Sequence, residues 1–288
     1  MPLLSLLRHI AGLAVCRTLL SYDMTVIAAA VHPFSNRNVA SDMDKALKSG
    51  KLKYQHLDLA SFRSIEMFAK DVIESHDHIH HLINNAGVML VPQQKTAEGF
   101  ELHMGVNFIG HAYLTKLLLP KLKSSSSASS HSVIINVSSS THRIPRLSLL
   151  MSGRFFSNPP FYCPHLSYGL SKLAIRLYTE ELSNQLSTLA PHVRVMSVHP
   201  GIVATSLYRH VVLPLQLIQK YLFAPCLFRT PAEGAAVVLN CFADDTIIPG
   251  AYVENSIAQF MDVASQEKEK FWQLTWQYIN KRKGSAHR

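Results

Sequence analysis

His81-Leu82-Ile83-Asn84-Asn85-Ala86-Gly87 is the stretch that decides the fold. A short apolar run ends in Asn-Asn-Ala-Gly, which reads as a buried strand entering a tight turn. Two further stretches repeat the pattern. Val133-Ile134-Ile135-Asn136-Val137-Ser138-Ser139-Ser140 is apolar with hydroxyls at its carboxyl end. Val193-Arg194-Val195-Met196-Ser197-Val198-His199-Pro200-Gly201 closes on Pro-Gly. Helical stretches separate these runs. Buried-type strands alternating with helices predict an α/β fold, a doubly wound parallel sheet. Such sheets take their ligands at the carboxyl ends of the strands, where the Asn, Ser and Pro-Gly signals fall.

Tyr168-Gly169-Leu170-Ser171-Lys172 supplies the chemistry. Tyr and Lys four apart share one face of a helix. An ammonium beside a phenol stabilises the phenolate and lowers a pKa that starts near ~10. The Tyr then serves as a general acid/base near neutral pH. A Ser hydroxyl from another element, Ser139, would hold the substrate oxygen. Tyr-x-x-x-Lys alone also arises by chance on surface helices, and the three strands are what give it a context.

From about Gly12 to about Val253 the chain resembles the short-chain dehydrogenase/reductase superfamily, a Rossmann fold. Asp58, Asn84-Asn85-Ala86-Gly87, Asn107, Ser139, Tyr168 with Lys172, and Pro200-Gly201 with Thr205 stand in the order of that family's motifs. Gly87-Val88-Met89, Lys95 to Glu101 and Gly105 to His111 are similar to its retinol-dehydrogenase-like branch. Val91 to Thr96 and Phe228 to Ala235 are similar to the same branch. The long interval from Ser139 to Tyr168 also suits it.

The resemblance implies roles for individual residues. Tyr168 would give or take the proton. Lys172 would lower the Tyr pKa and bind the nicotinamide ribose. Ser139 would hydrogen-bond the substrate oxygen. Asn107 would kink its helix and hold a water in a proton relay. Asn84, Ala86 and Gly87 would line the cofactor, with Asp58 facing the adenine. Pro200, Gly201 and Thr205 would cradle the nicotinamide and pyrophosphate. Asn84 and Asp58 could equally close turns or cap helices, and Thr205 could be a cap. It is the ordered set that carries the assignment. The implied activity is NAD(P)-dependent interconversion of a lipophilic alcohol (retinoid, polyprenoid or steroid) and its aldehyde or ketone.

The amino end departs from the pattern. The family's Thr-Gly-x-x-x-Gly-x-Gly lets backbone approach the pyrophosphate at a helix N-terminus. Here Met24 to Ala30 reads as the second strand and Cys16 to Leu20 as the end of the first helix. Gly12 then falls on the last glycine, and about Leu6 and Ile10 fall on the first two. Their Cβ atoms enter space that the phosphates need, and they tolerate positive φ poorly. Met1 to Ser5 stands where the first strand belongs, so that strand is expected to be degraded or replaced. Three readings follow: an alternative first exon, which the complete catalytic half favours; a true variant with impaired cofactor binding; or a makeshift strand at Leu3–Ser5. A catalytically silent scaffold or truncated isoform is the rival functional reading. Cofactor choice leans to NADP over NAD, because no acid follows the second strand while Arg37 lies near.

Length and composition suit one domain over residues 1–288, with residues 1–11 atypical and 254–288 a C-terminal helical tail. The net charge of +9 fits an anionic membrane surface better than nucleic acid, since no basic stripe with interleaved aromatics is present. His210 to Phe228 is apolar but broken by Pro214 and Pro225, and reads as an apolar lid over the substrate. It suggests contact with the cytoplasmic side of the endoplasmic reticulum or another intracellular membrane; a cytoplasmic protein is the alternative. The four cysteines show no metal-ligand spacing and no disulfide framework. The His76, His78, His80, His81 cluster is read as structural rather than as a metal site. A homodimer through the helices at Asn107–Lys123 and Ser167–Ser187 is a further expectation.

Overall fold

The computed structural model describes residues 2–5, 10–32, 41–203 and 228–283. In chain order it begins β1 (Pro2–Ser5), α1 (Ile10–Ser21), β2 (Val26–Ala30), α2 (Ser41–Lys48), β3 (Leu52–His56), α3 (Phe62–Ser75) and β4 (His81–Asn84). A π-helical turn, Met104–Ile109, runs into α4 (Gly110–Ser125). β5 (Ser132–Val137), α5 (Leu147–Met151), α6 (Pro164–Leu189), β6 (Val193–His199) and β7 (Ile202–Val203) follow. The chain ends with β8 (Phe228–Arg229), α7 (Pro231–Ala243), β9 (Tyr252–Glu254), β10 (Ile257–Gln259) and α8 (Ser265–Lys283).

One eight-stranded sheet has the order β10-β9-β6-β5-β4-β1-β2-β3, and β10 alone runs antiparallel to its neighbour. β7 and β8 form a separate parallel pair. Side chains alternate across the sheet. Ile134 of β5 joins a core with Phe68 of α3, Leu114 of α4 and Leu177 of α6. Its neighbours Val133 and Ile135 join the opposite core, with Val15 of α1 and Val238 of α7. Burial on both faces is why β5 reads as an almost unbroken apolar run.

The first strand is replaced rather than lost. Pro2–Ser5 pairs on one side with β2, at Leu3↔Ile27, and on the other with β4, at Leu3↔Leu82. Pro2 has no N–H to give, and it sits at the first strand position, where that is tolerated. Of the three readings of the amino end, a makeshift strand is the one that describes this geometry. α1 begins at Ile10 and ends at Ser21, so Gly12 lies in its first turn. Leu6 falls outside the described residues, as do Arg37, Thr205 and, up to Leu227, the apolar stretch from His210 to Phe228.

A buried amide ladder pins the sheet to its helices. Asn84 and Asn136 are register partners on β4 and β5. Asn84 Nδ2 donates to Asn136 Oδ1 at 2.8 Å and to Thr115 Oγ1 of α4 at 3.0 Å. Asn136 Nδ2 donates to Thr179 Oγ1 of α6 at 3.0 Å. The ladder fixes register where a slip would misplace every residue beyond the strand ends.

The carboxyl-terminal segment is part sheet and part helix: Glu254 ends β9, β10 continues the sheet edge, and α8 starts at Ser265. α8 lies on α6 and α4. Trp272 stacks on Tyr178 with ring centroids 5.3 Å apart, Lys268 pairs with Glu180 at 2.7 Å, and Lys116 Nζ sits 4.6 Å over the Trp276 ring. No helix among the described residues is long and apolar enough to cross a membrane. No group of three or more His, Cys, Asp or Glu among them could hold a metal ion.

Replacing Asn136 with Ala removes one acceptor and one donor from the ladder. Urea denaturation should show a loss of about 1–3 kcal/mol with an unchanged m-value, the cost of orphaned buried polar groups. An unchanged midpoint would deny the ladder its role.

Candidate active site

Three elements converge at the carboxyl edge of the sheet. The π-turn comes first. Gly110 N–H donates to the Gly105 carbonyl, five residues back, the spacing that defines a π-helical turn. Asn107 sits in this turn, fully buried. Its Oδ1 accepts from the Val88 N–H at 2.7 Å, and its Nδ2 donates to the Val88 carbonyl at 3.0 Å. The same Nδ2 donates to Ser171 Oγ at 2.9 Å, and Ser171 Oγ donates to the Tyr168 carbonyl at 2.7 Å. One amide therefore ties the turn after β4 to the helix that carries Tyr168.

Lys172 is 4% exposed, and its Nζ donates to the Val137 carbonyl at 2.8 Å. That nitrogen lies 5.6 Å from the centroid of the Tyr168 ring. Ser138 Oγ donates to the Lys172 carbonyl at 3.0 Å, so the end of β5 holds this residue at both backbone and side chain. Burial lowers the Lys172 pKa to about 7.

Ser139 follows on the same strand end. It caps a short 3-10 turn, Ser140–Arg143, and its Oγ accepts from the Thr141 N–H at 3.3 Å. Its carbonyl lies 2.7 Å from His142 Nδ1, and His142 Nε2 lies 2.7 Å from the Arg176 guanidinium. Arginine only donates, so Nε2 accepts and Nδ1 carries the proton to Ser139. Burial, opposed by the Ser139 bond and reinforced by Arg176, brings the His142 pKa down to about 4 and keeps the ring neutral.

Gly87 lies flush against this group. A Cβ there would stand 3.1 Å from Asn107 Oδ1 and 3.8 Å from Lys172 Nζ. Behind it, Ala29, Val31, Asp58, Ala86, Val88 and Val106 line a largely apolar cavity of about 180 Å³. Asp58 is fixed there by accepting from the Ala60 N–H at 2.9 Å. Asn84 is engaged in the amide ladder below. Gly201 has φ +86°, and a Cβ would meet Arg229 Cδ at 2.6 Å; the Arg229 guanidinium donates to the Pro200 carbonyl at 3.3 Å. Tyr168, Lys172, Asn107, Ser139 and Gly87 thus meet at one edge, Ala86 and Asp58 border the adjoining cavity, and Thr205 lies outside the described residues.

Ser138, Ser171, His142 and Arg176 did not emerge from the sequence. Ser171 stands inside the Tyr168–Lys172 motif and Ser138 beside Ser139, but their contacts need the register of β5 and α6. Nothing in the sequence marks His142 or Arg176.

The short chain dehydrogenase family matches residues 11–151. Polyprenol dehydrogenase of Danio rerio is 38% identical over 267 residues, covering 91% of this chain and 81% of that protein. The chain belongs to the short-chain dehydrogenase/reductase family. It falls in the retinol-dehydrogenase-like branch: human retinol dehydrogenase 12 is 34% identical over 275 residues, covering 93% of this chain and 82% of that protein. Among solved structures, the Pseudomonas aeruginosa RhlG/NADP active-site complex overlays with a TM-score of 0.66 at 21% identity, over 88% of this chain and 93% of that one, a likeness of fold. The family match starts after β1 and its following loop, where the sequence departs from the glycine motif. It stops before Tyr168, which only the longer alignments reach. The protein is an oxidoreductase of this family.

The Lys172 shift has a consequence for stability. The unfolded chain keeps this proton to about pH 10.4, while the folded chain releases it near pH 7. Between these values the unfolded state binds more protons, so stability rises with pH through that window. The penalty is fully present below about pH 7. Lys172→Met removes it. The stability of wild type minus that of the variant should rise by up to about 4 kcal/mol from pH 7 to pH 10 in denaturant titrations. A flat difference would refute the buried ammonium.

Proposed function

We propose that this chain interconverts a lipophilic alcohol and its aldehyde or ketone, with Tyr168 as general acid/base and NADP as the preferred cofactor over NAD. The observation that carries the reading is the buried Lys172 ammonium beside the Tyr168 ring, anchored on the Val137 carbonyl. Tyr168 exchanges the proton of the substrate hydroxyl, and the adjacent positive charge favours the phenolate. Ser139 holds the substrate oxygen. Asn107, fixed on Val88 and Ser171, keeps the turn after β4 open beside them and anchors the relay side of the site.

The residues fit a dinucleotide at two of its parts. The cavity bordered by Asp58 and Ala86 suits an adenine, and the space that a Cβ on Gly87 would fill suits a ribose reaching Lys172. Pro200, Gly201 and Thr205 would complete the nicotinamide side. When bound, the dinucleotide supplies or accepts the hydride. NADP is favoured because β2 runs out into Val31 and an exposed His32, with no acid there to repel a 2′-phosphate.

The lipophilic substrate class is supported by the relatives, named as polyprenol and retinol dehydrogenases. It is supported too by the loop before α6, where Phe161 is 55% exposed next to buried Phe155 and Phe156. The apolar stretch from His210 to Phe228 would close over such a substrate and touch an intracellular membrane, the endoplasmic reticulum first among them. A homodimer through α4 and α6 belongs to the same reading, with α8 packed on α6 through Trp272 and Tyr178. A scaffold that keeps the fold without the cofactor is the second reading, favoured by the absent glycine motif alone.

NADPH and NADH binding by fluorescence or calorimetry separates the two readings. The enzyme reading expects saturable binding, tighter for NADPH, and turnover of retinol or a polyprenol. Tyr168→Phe should then lose that turnover while keeping fold and cofactor affinity, and retained turnover would sink the assignment. Gly87→Val should weaken binding by at least about tenfold, since its side chain enters the space beside Asn107 and Lys172. A folded protein that binds neither nucleotide is the scaffold.

A further inference from the structure

A second buried acid–base pair abuts Tyr168. Glu101 is 2% exposed and His103 is fully buried. Glu101 is fixed at its backbone by an N–H bond to the Phe156 carbonyl at 2.8 Å. Its Oε2 accepts from the Met104 N–H at 2.9 Å, and its Oε1 lies 2.8 Å from His103 Nδ1. A carboxylate only accepts, so Nδ1 is the protonated nitrogen. Burying a carboxylate is costly unless its oxygens are bonded. Both are, and the bond at Nδ1 locks the imidazole in one orientation.

The locked ring faces the catalytic residue. His103 and Tyr168 have ring centroids 6.3 Å apart at an interplanar angle of 68°, an edge-to-face contact. Tyr162, from the loop before α6, lies 6.5 Å from the same imidazole. His103 also immediately precedes the π-turn that carries Asn107. Its second nitrogen, Nε2, is buried and has no hydrogen-bond partner among the described residues. A side chain chosen for packing alone would not bring an unsatisfied nitrogen to this place, and such orphans mark sites with another role.

We propose that Glu101 and His103 form a positioning dyad for Tyr168. Glu101 orients the imidazole, and the imidazole edge fixes the rotation of the phenol relative to Ser139 and Lys172. The proposal rests on the oxidoreductase reading for its kinetic consequence, but not for its geometry. Its logic is that of an acid orienting a histidine behind a reacting hydroxyl, with packing in place of proton transfer. Small errors in the placement of a reacting group cost large factors in rate.

The test compares His103→Leu and Glu101→Gln with wild type. His103→Leu should lower kcat about ten- to a hundredfold and leave KM within about twofold, since substrate binding is untouched while the phenol is loosened. Glu101→Gln can keep the Nδ1 bond only by turning its NH2 toward the Met104 N–H, a donor against a donor, so its kcat should fall between those of wild type and His103→Leu. Equal kcat in wild type and a folded His103→Leu would overturn the dyad. A second readout needs no turnover. With tyrosine labelled with ¹³C, the Tyr168 signal is assigned by its loss in Tyr168→Phe. It should shift and broaden in His103→Leu and stay in place in the surface control Met67→Ala. An unmoved Tyr168 signal in His103→Leu would also overturn the dyad. If His103→Leu fails to fold, Glu101→Ala takes its place, and a moved or unmoved Tyr168 signal decides in the same way. A wild type without turnover removes the oxidoreductase reading, while the signal still reports on the dyad.

Discussion

A positive charge buried beside a phenol is the constraint around which this molecule is arranged. Lys172 Nζ is anchored on the Val137 carbonyl at the end of β5, and burial pulls its pKa far below the ordinary range. An ammonium in such a place is tolerated only while its partner stays in reach. Everything that fixes α6 against β5 therefore bears on the chemistry. Ser138 holds the Lys172 backbone, the Asn84–Asn136–Thr179 ladder holds the register, and Asn107 ties the opposite turn to Ser171.

The π-turn explains how one asparagine serves both sides. A regular helix closes each N–H on the carbonyl four residues back. The five-residue closure of Gly110 on Gly105 widens the helix at Asn107 and frees its amide to face Val88 and Ser171. His111 then folds back, with Nδ1 3.1 Å from the Asn107 carbonyl, and burial drives its pKa down to about 4, so it stays neutral. The turn that was expected to kink the helix is thus a switch of hydrogen-bond spacing rather than a break in the chain.

Much of this was legible in the sequence because its signals are local. Strand ends at Asn84, Val137 and His199 were marked by polar or Pro-Gly residues closing apolar runs, and Tyr168 with Lys172 by helical spacing. The rest depends on which elements become neighbours. Nothing in His142, Arg176, Glu101 or His103 distinguishes them from ordinary surface or core residues until the sheet order brings them to one edge. The first strand was expected to be degraded or replaced, and a replacement strand is what pairs with β2 and β4. The sequence was read for the glycines that follow it, whereas pairing in the sheet uses backbone N–H and C=O groups that every residue except proline provides.

That distinction separates what the amino end does for the fold from what it does for binding. Leu3 and Leu4 pair with β2 and β4 through backbone alone, so the centre of the sheet closes without any glycine motif. The parts proposed for the adenine and for the proton step are built from β2 to β6 and α6, which the altered end leaves intact. A weaker grip at the phosphates acts equally on the ground state and the transition state. It would therefore appear in cofactor affinity and leave the proton chemistry proposed for Tyr168 unchanged. The first strand thus satisfies the sheet, while the sequence that follows it departs from the family's glycine motif.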